Sequence, residues 1–260
     1  MARLQDRVAI VTGAARGNGK GIAKAMAREG ATVVLWDILD LVEETAKDIS
    51  SSGQRALPFK VDVADSIQVN EAVQKILKEF GKVNILVNNA AIASFIPFIE
   101  TSDEYRDRVF DVNLKGVWNC TKAVIPVMID QKYGKIINIS SVTGTRVSAP
   151  GTTAYSATKG AISGFTKALA LEVAEFGINV NAILPGYVDT PLVRGAAKEL
   201  EMDEDEFIKM LGNSVPMKRI GTIDEIGDLA VFLASEESKY ITGQEIVFDG
   251  GNIIQEMKTG

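Results

Sequence analysis

The sequence predicts an α/β fold: a single doubly wound domain over residues 1–260, with a mostly parallel sheet covered by helices on both faces. Three observations predict it. Short apolar runs rich in β-branched residues alternate with amphipathic helical stretches of about 10 to 25 residues, and crossovers of that length join parallel strands. A glycine-rich turn separates the first such run from the first helical stretch. No linker, low-complexity tract or internal repeat interrupts the alternation.

The elements follow in order. Val8-Ala9-Ile10-Val11 reads as a buried strand, and after the turn Ile22, Ala23, Met26 and Ala27 recur at helical spacing until Gly30 ends the helix. Thr32 to Trp36 is a second strand. Helices are expected at about 40–52 and 66–80, with strands at 56–61 and 83–87. One long helical region over 103–130 precedes a strand at 135–139; a helix at about 152–175 precedes a strand at 178–184. A helix over 223–235 and a last strand over 245–248 complete the pattern. The segment 190–213 is irregular, acidic and amphipathic. It follows a strand end, where open α/β sheets bind their ligands, so it is placed to act as a lid; a solvated surface helix is the plainer alternative.

Composition narrows the function. Hydrophobic residues make up 46% and charged residues 24%, as in an ordinary globular protein. A net charge of −6 argues against nucleic acid or an anionic membrane as partner. Cys120 is the single cysteine, which excludes an intrachain disulfide and fits a reducing, cytoplasmic location. No apolar signal segment opens the chain, and no apolar run approaches the ~18 residues of a membrane span. The chain contains no histidine. Histidine-based nucleophile pairs and histidine metal ligands are therefore excluded, no metal site is expected, and acid–base chemistry falls to Tyr, Lys, Asp or Glu.

Two groups of residues point to a nucleotide and to proton transfer. Gly13, Gly17 and Gly19 lie between a strand and a helix, where glycines admit a pyrophosphate to backbone amides and the helix start supplies partial positive charge. Asp37, closing the second strand, would accept hydrogen bonds from adenosine ribose hydroxyls and repel a 2′-phosphate, which favours NAD over NADP; a turn carboxylate is the alternative. Arg16, in the turn, could pair with a phosphate. Tyr155 and Lys159, four residues apart, share a helix face. An ammonium ~4 Å away at an effective dielectric of ~20 is worth about 4 kcal/mol. That would draw a tyrosine from about 10 towards about 7, where it exchanges protons at neutral pH.

These residues carry a resemblance. Thr12-Gly13-Ala14-Ala15-Arg16-Gly17-Asn18-Gly19, Asp62-Val63, Asn88-Asn89-Ala90-Ala91, Asn113, Ser140-Ser141, Tyr155-x-x-x-Lys159 and Pro185-Gly186-Tyr187-Val188-Asp189-Thr190 stand in order over essentially the whole chain. In this the chain resembles the short-chain dehydrogenase/reductase family. The resemblance implies a Rossmann fold and an NAD-dependent enzyme interconverting a secondary alcohol and a ketone. It implies Tyr155 as general acid–base, Lys159 lowering its pKa and holding the nicotinamide ribose, Ser141 orienting the substrate oxygen, and Asn113 holding a relay water. By the same resemblance Asp62 and Val63 contact adenine, Asn89 and Ala90 the middle of the cofactor, and Pro185, Gly186, Val188 and Thr190 its nicotinamide end.

Three departures from the family pattern stand out: Asn18 in place of an aliphatic residue, Ala91 in place of glycine, and one extra residue between Ser141 and Tyr155 that reshapes the loop 142–153. Candidate substrate contacts are Ile92, Ala93, Ser94, Phe95, Val142, Thr143, Val147 and Pro150. Tyr187, Leu192, Met202, Phe207 and Met210 join them from the lid. The set is mostly apolar and suits an apolar small molecule, while Arg146 and Arg194 leave a hydroxy or keto acid open. A 3-oxoacyl-[acyl-carrier-protein] reductase and a non-catalytic dinucleotide sensor are the alternatives. The family also implies a homotetramer, with helices 103–130 and 152–175 pairing across subunits and the tail from Tyr240 packing on neighbours.

Overall fold

In the computed structural model the described residues are 2–256; Met1 and residues 257–260, part of the expected domain and tail, lie outside them. The chain runs β1 (Val8–Thr12), α1 (Gly17–Arg28), β2 (Thr32–Asp37), α2 (Val42–Ser51), β3 (Ala56–Lys60), α3 (Ser66–Phe80) and β4 (Ile85–Asn88). It continues with α4 (Asp103–Phe110), α5 (Gly116–Gln131), β5 (Gly134–Ile139), α6 (Thr153–Val173), β6 (Ile178–Pro185), α7 (Pro191–Glu199), α8 (Glu204–Ser214), α9 (Ile223–Ala234) and β7 (Glu245–Phe248). All seven strands pair in parallel, in the order β3-β2-β1-β4-β5-β6-β7. The order reverses between β1 and β4, so a crevice opens there at the carboxyl ends of the strands.

The strand period of two divides the core. Ala9, Val11, Val33 and Leu35 face α1 and α9 and pack with Ile22, Met26, Ile226 and Ala230. Val8, Ile10, Val34 and Trp36 face the opposite layer with Val69, Val73, Ile76, Val124 and Met128. Each fully buried aliphatic side chain contributes roughly 1.5–3 kcal/mol, so near-continuous apolar strands such as β1 are what a sheet covered on both faces requires. A Cβ on Gly21 would strike the Ile223 carbonyl, and this lets α1 and α9 pack closely.

Two expected elements differ in the structure. The helix expected over 103–130 is interrupted by a π turn at Asp111–Lys115, where the Gly116 N–H bonds the Asp111 carbonyl. The wider turn centres on Asn113, whose side chain is bonded elsewhere, and such π turns gather at functional sites. The stretch 190–213 resolves into α7 and α8. Thr190 caps α7 by accepting from Val193 N, and Asp203 caps α8 by accepting from Asp205 and Glu206 N.

Candidate active site

The crevice is a cleft of ≈ 490 Å³ running from the β1–α1 turn to α6 and α7. The turn is shaped by glycine. Gly13 and Gly17 have φ of 64° and 57°, and a Cβ on Gly19 would collide with the Gly13 carbonyl. Arg16, the N-cap of α1, makes no side-chain cap bond, so the N–H groups of the first turn remain for an anion. Asn18 lines the cleft with its Oδ1 buried and unpartnered. An open glycine cradle, free helix N–H groups and a stranded polar atom fit a bound dinucleotide.

Asp37 lines the cleft and braces the turn: Oδ2 accepts from Ala15 N at 3.0 Å and Oδ1 from Leu39 N at 3.0 Å. Both the turn role and an orientation towards the cleft are thus present. Asn89 ties β4 to the glycine turn, its Nδ2 donating to the carbonyls of Thr12 (2.9 Å) and Gly13 (3.1 Å). The Asn89 and Ala90 N–H groups both donate to Thr12 Oγ1. Asp62, Val63, Pro185, Gly186, Val188 and Thr190 also line the cleft. Ala91 lines it too and is exposed, so its methyl is accommodated without repacking.

At the other end stand Ser141, Tyr155 and Lys159. Ser140 and Ser141 divide their work. Ser140 Oγ donates to the Lys159 carbonyl at 2.8 Å, whereas Ser141 Oγ accepts from Thr143 N at 3.1 Å and shares the cleft wall with Tyr155. Lys159 is 3% exposed and its Nζ donates to the Ile139 carbonyl at 2.7 Å. Burial lowers its pKa to about 8. The expected depression of the tyrosine is not what this geometry gives. Lys159 Nζ is turned to Ile139 and lies 5.5 Å from the Tyr155 ring centroid. Burial pushes the Tyr155 hydroxyl up, and only the Ser141 hydrogen bond opposes it.

Asn113 is fully buried in the π turn and does not bond Lys159. Its Oδ1 accepts from Ile92 N (2.9 Å), and its Nδ2 donates to the Ile92 carbonyl (3.0 Å) and to Thr158 Oγ1 (3.2 Å). It therefore clasps the loop after β4, which brings Ile92, Ala93, Ser94 and Phe95 to the cleft. Leu192, Val193, Gly195 and Ala196 of α7 form the facing wall.

Several candidate substrate contacts lie elsewhere. Val142 packs in the core with Ala182 and Leu184, and Tyr187, Met202 and Phe207 fill a cluster that joins α7 to α8. Thr143, Val147, Pro150 and Met210 are not in the cleft wall. Both arginines kept for a carboxylate are engaged. Arg146 pairs with Glu245 at 2.5 Å, while Arg194 grips both oxygens of Asp189 (2.6 and 2.8 Å) and reaches Asp205 at 3.0 Å. Cleft residues that were missed include Ile38, Leu39, Arg108 and Val112, with Trp36, Val61 and Ile139 at strand ends and Pro191, Val193, Gly195 and Ala196 on α7. Ile38 and Leu39 directly follow the strand-closing acid, Val112 adjoins Asn113 and Arg108 stands one turn before it, signals the sequence did contain.

Comparison with known proteins gives the class first. UcpA, an oxidoreductase of Salmonella typhimurium, is 45% identical over 257 residues, covering 98% of each protein. The structure of Thermoplasma acidophilum aldohexose dehydrogenase superposes with a TM-score of 0.91 at 36% identity, covering 100% of this chain and 99% of that one. A Beutenbergia cavernae protein solved with bound NADP is 34% identical, with a TM-score of 0.89 over 97% of this chain and 98% of that one. The chain is an oxidoreductase. More particularly, a family model described as enoyl-(acyl carrier protein) reductase matches residues 13–252, and the chain belongs to the short-chain dehydrogenase/reductase family. No helix among the described residues is long and apolar enough to cross a membrane.

Proposed function

We propose that this protein is an NAD-dependent oxidoreductase interconverting a secondary alcohol and a ketone on a largely apolar small molecule, with Tyr155 as general acid–base. The observation that carries the reading is that Tyr155, Ser141 and Lys159 share one cleft with the glycine turn and Asp37. The dinucleotide would be held by Gly13, Arg16, Asn18, Gly19 and Asp37 at its adenosine-diphosphate part. Asp62, Val63, Asn89 and Ala90 would line its middle and adenine, and Lys159, Pro185, Gly186, Val188 and Thr190 its nicotinamide end. When bound it supplies or accepts the hydride.

The chain's own residues do the rest. In oxidation Tyr155 Oη takes the hydroxyl proton, and in reduction it returns it to the ketone oxygen. Ser141 Oγ holds that oxygen against Tyr155 and stabilises the phenolate by its hydrogen bond. Lys159, buried beside the pair, keeps two N–H donors beyond its bond to Ile139 for the ribose and the phenolate. Asn113 fixes the loop that shapes the substrate wall. The facing walls of Ile92, Ala93, Phe95, Leu192 and Val193 favour an apolar skeleton.

The test is a panel of secondary alcohols with NAD, followed by NADH absorbance. Tyr155→Phe should lower turnover at least about a hundredfold, and unchanged turnover refutes the assignment. Tighter binding of NADPH than NADH would overturn the role given to Asp37. We also expect a homotetramer: Trp118 of α5, 57% exposed, packs at a tilt against Phe165 of α6 with ring centroids 5.7 Å apart, and Leu171 stands out from α6. Light scattering decides it. The buried, free Cys120 suits a reducing cytoplasm.

A further inference from the structure

Arg146 has no part in the chemistry above, yet it fastens the turn that follows Ser141, in the loop that is one residue longer than the family pattern. The base of the turn is fixed by the core. Val142 packs with Ala182 and Leu184, and its N–H donates to the Pro185 carbonyl at 3.1 Å. The far side doubles back. The Arg146 and Val147 N–H groups both donate to the Val142 carbonyl (2.8 and 3.0 Å), Gly144 N donates to the Val147 carbonyl at 2.8 Å, and Thr143 pairs with Val147. Gly144 has a φ of 90°, and a Cβ there would strike the Ser156 carbonyl, so the turn lies directly on the residue after Tyr155. Its tip is tied to the sheet: Arg146 Nη2 donates to Glu245 Oε2 at 2.5 Å, and Lys167 of α6 reaches the other oxygen, Oε1, at 2.8 Å. The Glu245 side chain is only 6% exposed, and a carboxylate so buried depends on its cations. The pairing of β7 with β6 fixes its backbone. At the near end Thr143 N donates to Ser141 Oγ at 3.1 Å, which occupies a lone pair of the hydroxyl and leaves its hydrogen to donate into the cleft.

We propose that Arg146, anchored on Glu245, is a positioning residue for the reaction: it holds the turn in which the Thr143 N–H sets the direction of the Ser141 hydroxyl. The chain of contacts is short. Glu245 fixes the tip, the tip fixes the pairing of Thr143 with Val147, and Thr143 fixes Ser141 Oγ. Without the guanidinium, Lys167 still neutralises the buried carboxylate, so the fold keeps a cation there while the turn loses its outer tie. Misplacing a reacting group by about an ångström costs up to roughly a hundredfold in rate. The inference rests on the role given above to Ser141.

The experiment measures kcat and KM for oxidation of the best alcohol of the panel with NAD, and the dissociation constant of NADH. The proteins are the wild type, Arg146→Met, Arg146→Lys, Ser141→Ala and the double variant Ser141→Ala/Arg146→Met. Arg146→Met should lower kcat by roughly tenfold or more, while KM and NADH affinity change by less than about twofold. Arg146→Lys, which keeps a cation for Glu245, should recover part of the loss. In the Ser141→Ala background Arg146→Met should cost less than about twofold, because the group it positions is already gone. An Arg146→Met loss of equal size in both backgrounds overturns the proposal, as does an unchanged kcat. So does a loss of NADH affinity equal to the loss of kcat, which would mark a loosened cleft. A Ser141→Ala variant as active as the wild type would instead bring down the role of Ser141 itself.

Discussion

Replacing Lys159 by Met should disable the enzyme and yet leave the fold no less stable at neutral pH. Lys159 is 3% exposed, and burial lowers its pKa from 10.5 to about 8. The unfolded chain therefore binds more protons than the folded one between about pH 8 and 10.5, and stability rises with pH across that window. Below it the folded state carries a full penalty of about 3 kcal/mol for holding the buried ammonium. At pH 10 the penalty has fallen to about 1 kcal/mol. Methionine removes it but also loses the bond to the Ile139 carbonyl, a loss of about 1–3 kcal/mol. At pH 7 the variant should then equal the wild type or exceed it by up to about 2 kcal/mol, where most core substitutions lose about 1 kcal/mol. The cleaner quantity is the difference between the two proteins at two pH values, because every other titrating group cancels. Urea unfolding at pH 7 and pH 10, at one protein concentration, should show the variant losing about 2 kcal/mol relative to the wild type as pH rises. A gap that stays constant, or moves the other way, refutes the account of Lys159 as a costly buried cation.

Three further outcomes follow from the same geometry. Gly19→Ala should abolish dinucleotide binding, since its Cβ has no space beside the Gly13 carbonyl; NADH fluorescence titration reads this directly. Thr222→Ala should lower stability by about 1 kcal/mol without touching the cleft. It breaks a capping box in which Thr222 Oγ1 accepts from Glu225 N at 3.2 Å, and denaturant unfolding measures the loss. Ser141→Ala should shift the rising limb of the pH–rate profile for alcohol oxidation to higher pH, because only the Ser141 hydrogen bond opposes the upward push of burial on Tyr155. A limb left in place would show that Ser141 does not tune the tyrosine.

Strand and helix positions were legible because their signals are local and repeated. β7 lies where its apolar run predicts, and α3 spans Ser66–Phe80, between the capping Asp65 and the left-handed Gly81. The break in the 103–130 helix was not legible. Nothing in its apolar spacing marks Asp111–Lys115, and the π turn goes with a tertiary bond from Asn113 to Ile92, 21 residues away. Those cleft residues that lie in motifs, from Gly13 in the glycine turn to Thr190, were found, whereas the fate of Arg146 and Arg194 was not. Their charge could be read, but their partners come from β7 and from the turn before α7. The direction of Lys159 was hidden for a similar reason. Spacing four apart fixes the helix face shared with Tyr155, but the carbonyl that takes the ammonium belongs to β5.

Buried polar groups that cost the fold something are informative only where they meet the cleft. Lys135 shows why burial alone is a poor guide. It is 2% exposed, and burial lowers its pKa as well. But it sits at the amino end of β5, away from the cleft wall, where its Nζ is received by the Asn179 side chain at 2.7 Å. That is a structural lysine with its own partner. Lys159, Tyr155 and the stranded Asn18 oxygen all gather instead at the carboxyl end of the sheet, where the strand order reverses. Much of the rest of the chain keeps local rules, as in the apolar, buried run over residues 8–11 of β1 and the capped start of α9. Several such departures meeting in one cleft, each without a partner of its own kind, are what a selected site leaves behind, and they mark Tyr155 and Lys159 on physical grounds alone.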